Sequence, residues 1–528
     1  MKRLFILILF LALFHSVTLD LPAVSTENVG SLVRINITTT EGTGKIYFAI
    51  PPYNGISYQE SFMNSLNFID SQKVNFSKQN DFYIDFYGEY TSSVEGASGG
   101  VATSVLLKSI AENKTINDSI VVTGEISSQG EVLPVGGIPE KLFASYFNNK
   151  SMFLIPSSTP VNEKVIAKRL STEFNFPVYE YSYFDDVYDV YTKNNKSGLK
   201  EISLEKENYT FHELNEVEAN IYFNGIVNEM LNSYNRDLLF VHNNYSSLLP
   251  YFESIYNNSQ ELYEKGYSYS AGNELFLGME TLSYLTAHYS NEEFNNSANY
   301  IFDCLNNTKK NLDNYNGPLE YYIASDVRYV KTKESMDVYL DEYNKSTSTI
   351  YLPSLLTRSK MWCDSAYIMS VSKNNSDFDN ESLVSFIENK LLYYSGNESE
   401  DLMDARKYYA HGNYGAALNI IISFESTFTE CDTYNFTYDW SKMMYYHSLY
   451  LNSTSKFGDN SYDEISKYAC SYDRIINEYQ NSKVLKNDEN NYMVFVLSIL
   501  ILFIASIIYY TFLMFKRKSK SSIKNKKW

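Results

Sequence analysis

The first part of the chain alternates short strand-like and helix-like apolar patterns. Period-two alternation predicts strands at residues 33–37, 46–50 and 82–86, and short apolar-rich segments predict strands at residues 120–123, 131–135 and 152–155. Helical spacing predicts helices at residues 62–69, 98–111 and 165–170, and one more with Pro139 in its first turn. The glycine-containing segment 41–44 separates the first two strands and predicts a β-hairpin. Residues 21–192 are therefore predicted to form one α/β domain.

The pattern changes after a polar linker at residues 193–200. Strand signals fade, and long helical patterns continue from residue 201 to residue 490. This predicts an all-α, tyrosine-rich second region. Within it, residues 405–418 resemble one tetratricopeptide-type helical hairpin with Gly412 at the turn. An ordinary turn of small residues between two helices with aromatic packing would give the same sequence pattern. A true tetratricopeptide repeat and an ordinary helical hairpin therefore both remain open.

The beginning of the chain resembles an export signal. Lys2 and Arg3 precede an apolar run from Leu4 to Leu13, and small and polar residues follow it. A charged start, a short apolar run and small residues are typical of a secretory signal. Residues 1–20 are therefore interpreted as a signal segment, with an uncleaved anchor as the alternative.

The other end of the chain predicts a membrane anchor. No charged residue occurs from Tyr492 to Phe515, and a helix of that length can cross a hydrocarbon core of about 30 Å. Residues 516–528 form a basic tail, which should stay in the cytoplasm. The sequence therefore predicts a single-pass protein of the cell membrane whose main part lies outside the cytoplasm.

Two further features fit an exported protein. Asn-x-Ser/Thr sites recur along the chain and predict a glycoprotein; they include Asn36, Asn75, Asn208, Asn344 and Asn435. The cysteines are an even set confined to the distal half, which predicts disulfides in an oxidising compartment. These disulfide candidates are Cys304, Cys363, Cys431 and Cys470. The spacing leaves their connectivity open.

Charge and composition exclude several functions. The net charge of -19 would repel nucleic acid phosphates, so nucleic acid is not expected as a partner. Residues 21–200 contain neither His nor Cys, which excludes a Ser-His-Asp triad, a Cys-His pair and an ordinary zinc site there. Covalent catalysis in this domain would need another base, and a neutral lysine amine can serve a serine in that way.

Ser98 and Lys141 are the candidates for such a pair. Ser98 follows Glu95, Gly96 and Ala97 at the predicted start of a helix, where unpaired N–H groups could hold an oxyanion. Lys141 falls in the first turn of another predicted helix, where the helix dipole and burial would both disfavour an ammonium. Taken singly, Ser98 also fits an ordinary helix cap, and Lys141 an ordinary surface lysine.

Four motifs in this order resemble the proteolytic domain of Lon-type (S16 family) serine peptidases. They are Glu95–Ser98, Thr123–Glu125, Gly130–Lys141 and Phe153–Pro156. The resemblance implies a Lon-type α/β fold, Ser98 as nucleophile and Lys141 as general base. It further implies that the Thr123 hydroxyl orients the lysine amine and that Glu95 lines the site. The resemblance also implies polypeptide substrates, and it admits a homo-oligomer because Lon-type domains form rings, but the sequence leaves the oligomeric state open. No cofactor and no metal are expected.

The sequence departs from that family in one respect. Lon proteins usually carry an ATP-driven unfolding module, but the nearest phosphate-loop match here, Gly44-Lys45, lacks the required glycine and Ser/Thr. The arrangement is similar to that of exported, membrane-tethered Lon-like peptidases of archaea. We therefore expect an ATP-independent serine endopeptidase that cleaves unfolded or extended polypeptides outside the cell. The alternative is a glycosylated surface binding or scaffold protein with a Lon-like fold and no turnover.

Overall fold

The computed structural model describes fourteen stretches of the chain, with gaps between them. They are residues 15–25, 28–50, 53–73, 75–87, 93–94, 96–207, 211, 214–287, 290–345, 349–371, 378–396, 399–431, 436–454 and 460–486. The chain divides into two compact units. The first, called the α/β unit, is drawn from Met1–Glu205, Val241–Pro250 and Lys345–Ile350. The second, called the helical unit, is drawn from Lys206–Phe240, Tyr251–Asn344 and Tyr351–Trp528.

The α/β unit alternates strands and helices. Its strands are β1 His15–Val24, β2 Gly30–Glu41, β3 Ile46–Phe48, β4 Tyr53–Asn54, β5 Asn80–Tyr87, β6 Ser93–Val94, β7 Ile120–Val122, β8 Glu125–Ile126, β9 Val132–Leu133, β10 Met152–Pro156, β11 Val178–Tyr181 and β12 Lys200–Glu201. Its helices are α1 Ile56–Gln72, α2 Phe76–Gln79, α3 Gly100–Glu112, α4 Ile138–Phe147, α5 Val161–Glu173 and α6 Phe184–Lys193. The strands and helices expected from periodicity are present, so the α/β prediction is confirmed for this part of the chain.

The strands form two four-stranded sheets and two short ribbons. The order is β1-β2-β5-β3 in one sheet and β12-β11-β10-β7 in the other, while β4 pairs with β6 and β8 with β9. Strands β7, β10 and β11 are parallel to one another. Their residues are buried almost without interruption, as expected for parallel strands covered on both faces.

The hairpin predicted at residues 41–44 is wrong. Strand β5 lies between β2 and β3, antiparallel to β2 and parallel to β3. The carboxylate of Asp81 on β5 accepts hydrogen bonds from the N–H groups of Thr43 and Lys45, at 2.8 and 2.9 Å. The glycine-rich segment therefore crosses over the end of β5, and the true hairpin partner of β2 is β1.

Strand β1 begins inside the range predicted for the export signal. It pairs with β2 along its whole length, from His15 opposite Thr39 to Val24 opposite Gly30. Leu19 and Leu21 are buried in the core of the unit. The predicted signal ends at residue 20 because small and polar residues, around Ser16 to Thr18, follow the apolar run Leu4 to Leu13. Residues 1–14 of the predicted signal lie outside the described residues.

The helical unit consists of long helices. They are α7 Ile221–Asn244, α8 Leu249–Glu264, α9 Ser268–Thr286, α10 Asn291–Asp313, α11 Leu319–Lys345, α12 Leu352–Ser370, α13 Asn380–Tyr393, α14 Glu400–Ala410, α15 Tyr414–Ser426, α16 Asp439–Thr454 and α17 Asn460–Lys486, of which α7 and α8 also supply residues 241–250 to the α/β unit. Helices α14 and α15 are the two arms of the hairpin predicted at residues 405–418, and Gly412 between them has a positive φ of 73°. That conformation is one glycine adopts without strain.

The four cysteines form two disulfides within the helical unit. Cys304 on α10 is bonded to Cys363 on α12, and Cys431 is bonded to Cys470 on α17. Their Cα atoms are 6.1 and 6.0 Å apart, respectively. Each disulfide closes a loop of the chain and so limits the freedom of the unfolded state.

Buried carboxylates bind helix starts in the helical unit. Asp326 accepts a hydrogen bond from the Ala416 N–H at the start of α15, at 2.9 Å, and Glu320 accepts one from the Trp440 N–H at the start of α16, at 3.1 Å. Burial raises the pKa of Glu320 to about 7 and that of Asp326 to about 6. These carboxylates satisfy N–H groups that a helix cannot satisfy by itself.

The predicted C-terminal span at 492–515 and the basic tail at 516–528 fall outside the described residues. Among the helices that are described, none is long and apolar enough to cross a membrane.

Candidate active site

Ser98 lies in a 3₁₀ turn, Ala97–Gly99, that leads directly into α3. The side chain is half-buried, so it remains open to solvent on one side. The Ser98 carbonyl accepts a hydrogen bond from the Gly124 N–H at 3.0 Å, and the Gly124 carbonyl accepts one from the Val101 N–H at 3.1 Å. This reciprocal pair fixes the turn against the chain segment that follows β7.

Two glycines allow the Ser98 turn to approach its neighbours closely. A Cβ atom on Gly100 would lie 2.8 Å from the Ser61 hydroxyl and 3.1 Å from the Ile126 nitrogen. A Cβ on Gly99 would lie 3.2 Å from the Leu21 side chain of β1. Larger residues at these positions would push the turn outward, so the small neighbours of Ser98 serve packing as well as access.

Thr123 follows β7 and is fully buried beside Ser98. Its N–H donates to the Leu154 carbonyl at 3.1 Å, and its carbonyl accepts from the Tyr181 hydroxyl at 2.9 Å. Its own hydroxyl donates to the Ser98 carbonyl at 3.3 Å. The structure therefore brings Thr123 to the backbone of Ser98, whereas the resemblance implied a hydrogen bond to the Lys141 amine.

Lys141 occupies the first turn of α4 and is 4% exposed. Its Nζ donates to the Gly136 carbonyl at 2.8 Å. Burial lowers the pKa of Lys141 from its ordinary 10.5 to about 8, while the charges of Glu163 and Glu140 act in the opposite direction. A substantial fraction of this amine is therefore neutral near pH 8, which is the form that can accept a proton.

Glu163 holds the turn in front of Lys141, and sequence analysis missed it. Its two carboxylate oxygens accept hydrogen bonds from the N–H groups of Gly137 and Ile138, at 3.2 and 3.4 Å. Gly137 needs its positive φ of 73° for this turn. Burial raises the pKa of Glu163, and these two N–H donors oppose that shift. An acidic residue in the first turn of a helix is ordinary, so the sequence carried no signal for this role.

The two predicted catalytic side chains are not hydrogen-bonded to each other in the described part of the chain. Lys141 Nζ is held by the Gly136 carbonyl, while Ser98 is held through its backbone. A neutral amine has two N–H donors and one lone pair, so it can keep the bond to Gly136 while accepting a proton from a serine. Such bonds are often long in unliganded sites and shorten when substrate binds.

Glu95, the fourth predicted site residue, lies outside the described residues. Glu125 comes two residues after Thr123 in strand β8, and burial raises the pKa of its carboxyl. Within the described ranges, no group of His, Cys, Asp or Glu residues has the arrangement of a metal site.

Comparison with known families assigns the α/β unit. Residues 21–191 match the model of the Lon protease (S16) C-terminal proteolytic domain. The chain carries a Lon-type proteolytic domain. This confirms the resemblance drawn from the four sequence motifs. The match extends to the end of α6 and does not include the helical unit.

Curated relatives match about a quarter of the chain. Lon protease of Buchnera aphidicola is 30% identical over 156 residues, which is 28% of this chain and 20% of that protein. Lon protease of Solibacter usitatus is 30% identical over 144 residues, 26% of this chain and 17% of that protein. Lon protease 1 of Hydrogenovibrio crunogenus is 31% identical over 132 residues, 24% of this chain and 16% of that protein. The matched region thus spans a fifth or less of these relatives' length.

Proposed function

We propose that this chain is a serine endopeptidase in which Ser98 is the nucleophile and Lys141 the general base. The observation that carries the proposal is the buried Lys141 amine, whose pKa of about 8 lies well below that of a solvated lysine. It occurs in a Lon-type domain that also presents a half-buried serine in a turn at a helix start. A structural lysine would gain nothing from such burial, because desolvation penalises its charge.

The reaction would proceed through an acyl-enzyme. Ser98 Oγ attacks the carbonyl carbon of the scissile peptide bond while its proton passes to neutral Lys141 Nζ. Backbone N–H groups of the Ser98 turn, other than that of Val101, which is bonded to the Gly124 carbonyl, would stabilise the negative oxygen that develops. The protonated lysine then gives its proton to the leaving amine. In the second half, Lys141 takes a proton from water as the water attacks the acyl carbon, and the proton returns to Ser98.

Glu163 and Gly136 would position the base. The Gly136 carbonyl takes one N–H of the amine and thereby directs its lone pair away from that carbonyl. Glu163 fixes the turn that carries Gly136 and adds a negative charge that keeps the pKa of Lys141 from falling further. The Thr123 hydroxyl, bonded to the Ser98 carbonyl, holds the nucleophile turn instead of the amine.

Several finer features belong to the same proposal. The substrates are unfolded or extended polypeptides, and cleavage needs no ATP, because the sequence lacks a phosphate-binding loop. The protein is glycosylated, sits in the cell membrane through residues 492–515, and presents the catalytic domain outside the cytoplasm. The charge asymmetry around that segment and the disulfides of the helical unit support this placement.

The direct test is labelling of the purified full-length protein with a serine-directed phosphonate. We expect one adduct, on Ser98, and cleavage of an unfolded casein-like substrate that Ser98→Ala abolishes. ATP with magnesium should leave the rate unchanged. Absence of both labelling and cleavage in folded protein would favour the non-catalytic scaffold, and a several-fold stimulation by ATP would refute the nucleotide independence.

A further inference from the structure

The helical unit contains a cavity that has no part in the proposed peptidase site. It lies among the segment before α7, the starts of α9 and α11, and α16, and its volume is about 130 Å³. One water needs roughly 10–15 Å³ of such volume, whereas sites for drug-sized ligands have roughly 300–1,000 Å³. The cavity is therefore large enough for the end of one side chain and too small for a cofactor.

Tyrosines form much of the cavity wall; they are Tyr267, Tyr269, Tyr321 and Tyr446. The rings are held in place by their neighbours. Tyr267 and Tyr446 have ring centroids 6.1 Å apart, and the ring of Tyr269 packs 4.9 Å from that of His447. The Tyr321 hydroxyl accepts a hydrogen bond from the Asn220 amide at 3.1 Å. Fixed aromatic walls of this kind favour a cation, which is attracted to the negative faces of the rings.

The charged residues at the cavity also favour a cation. Glu218, Asp439 and Lys442 line it, which leaves one negative charge in excess. Lys442 forms an ion pair with Asp439 at 3.4 Å and so competes with any cationic ligand. Glu320, bonded to the N–H of the residue after Asp439, is buried behind this wall. The net charge of -19 further disfavours an anionic ligand.

A serine and a histidine at the cavity do not make a second catalytic site. Ser270 lines the cavity and lies 2.9 Å from Nδ1 of the buried His447. Burial lowers the pKa of His447 to about 3, so the imidazole is neutral and too weak a base to activate a serine. A neutral imidazole also adds no positive charge that would repel a cation.

We propose that this cavity binds the ammonium or guanidinium end of one basic side chain of a polypeptide. The claim that the cavity binds an amine or guanidinium group depends only on the cavity. The claim that this group belongs to a polypeptide substrate rests on the proposed peptidase function. The helical unit would thus hold an extended substrate by a basic residue.

Binding is tested on full-length Ser98→Ala protein, which cannot cleave the probe. The probes are N-acetyl-lysine methylamide and its neutral isostere N-acetyl-norleucine methylamide, and binding is followed by saturation in ligand-detected NMR. We expect saturable binding of the lysine probe and none of the norleucine probe. Equal binding of the two probes, or no binding of either, would overturn the proposal.

Charge-changing variants of the cavity residues test whether the cavity prefers a positively charged ligand. Glu218→Gln should weaken binding of the lysine probe by about two- to fivefold, as expected for an exposed charge pair, and the exposed Glu216→Gln is the matched control with no change. Lys442→Met should strengthen binding because it removes the competing ammonium. Weaker binding in Lys442→Met, with the thermal midpoint unchanged, would contradict a cation site.

Cleavage assays separate this proposal from the peptidase proposal. In active protein, a lysine-containing peptide should show a higher KM in Glu218→Gln with an unchanged kcat, whereas its norleucine counterpart should show no change. If the wild-type protein cleaves neither peptide yet still binds the lysine probe, the peptidase proposal fails and the amine site stands. If cleavage proceeds and Glu218→Gln leaves KM unchanged, the cavity does not hold substrate.

Discussion

The α/β unit and the helical unit both bury ionisable groups, but they surround them with different partners. In the α/β unit, the buried Lys141 amine donates a hydrogen bond to the Gly136 carbonyl and lies in the same domain as the half-buried Ser98. In the helical unit, Glu320 and Asp326 each accept a hydrogen bond from the N–H group at the start of another helix. Shifted pKa values therefore occur both at a candidate catalytic amine and at carboxylates that cap helices, so the shift alone does not mark a reactive group.

The strongest test of this contrast replaces the base itself. Lys141→Arg keeps the positive charge but cannot deprotonate, so we expect peptide cleavage to fall by about 10²–10⁴-fold. The rate of the wild type should rise with pH through about 8 as the amine loses its proton. Both are measured by steady-state cleavage of a fluorogenic peptide across pH.

Lys141→Met is the matched control for misfolding. Between about pH 8 and pH 10.5, Lys141 binds fewer protons in the folded state than in the unfolded state, so the wild-type free energy of unfolding rises with pH. Below about pH 8 the folded state bears the full cost of burying a charged amine. Methionine removes this penalty. The thermal midpoint at pH 7 should stay level or rise while activity disappears. Near-normal cleavage by either variant would show that another group activates Ser98.

Both disulfides lie in the helical unit, so removing one of them tests whether the two units unfold separately. Replacing Cys304 and Cys363 by serine opens a loop with a sequence separation of 59 and should reduce the free energy of unfolding of that unit by about 4 kcal/mol. Differential scanning calorimetry should show one transition lowered. The phosphonate adduct on Ser98 is the internal control. A parallel loss of labelling would show that the two units do not unfold separately.

The carboxylates of the helical unit predict a smaller dependence on pH. Folding raises the pKa of Glu320 from 4.5 to about 7 and the pKa of Asp326 from 3.8 to about 6. Between the unfolded and folded pKa of each carboxyl, the folded unit therefore binds more protons than the unfolded one. The free energy of unfolding should therefore fall as pH rises through this window, by an amount on the order of 1–3 kcal/mol.

Denaturant unfolding at pH 5 and pH 8 measures this change. Glu320→Gln should flatten the dependence, and the exposed Glu388→Gln should leave it as in the wild type. The same slope in all three proteins would exclude Glu320 as its source.

The smallest expected effect is a shift of the pH-rate profile when Glu163, the carboxylate near Lys141, is changed. Glu163→Gln removes a negative charge that favours the ammonium of Lys141, so the midpoint of the pH-rate profile should move to lower pH by about one unit or less. Glu173→Gln, at the other end of α5, is the control. A uniform loss of rate at every pH, with the midpoint unchanged, would mean that Glu163 only supports the fold.

Local signals account for what the sequence predicted. Ser98 and Lys141 lie near glycines at helix starts in a region without His or Cys, and the resemblance of four ordered motifs to the Lon-type domain singled them out. Glu163 could not be found in this way, since its role depends on a turn 26 residues away in the chain. The same limit explains the hairpin error: the turn at 41–44 has ordinary hairpin residues, and only the burial of Phe82 and Ile84 between β2 and β3 places β5 there.

The disulfides show the limit again. Four cysteines allow three connectivities, and the sequence gives no reason to prefer one. The choice follows from the packing of α10 against α12 and from the position of Cys431 beside α17. Helical periodicity predicts that these helices exist but does not specify which of them are neighbours.

Strand β1 supports both of the turns that carry the predicted catalytic side chains. Leu21 lies against Gly99 of the Ser98 turn, and Val24 lies against Gly137 of the turn before Lys141. Asp20 forms ion pairs with Arg34 and Lys150. A leader peptidase that cut before His15 would leave this support intact, whereas a cut after Asp20 would remove most of the strand and both ion pairs. If the proposed export signal is cleaved, the position of the cut would therefore decide whether both turns keep the strand that supports them.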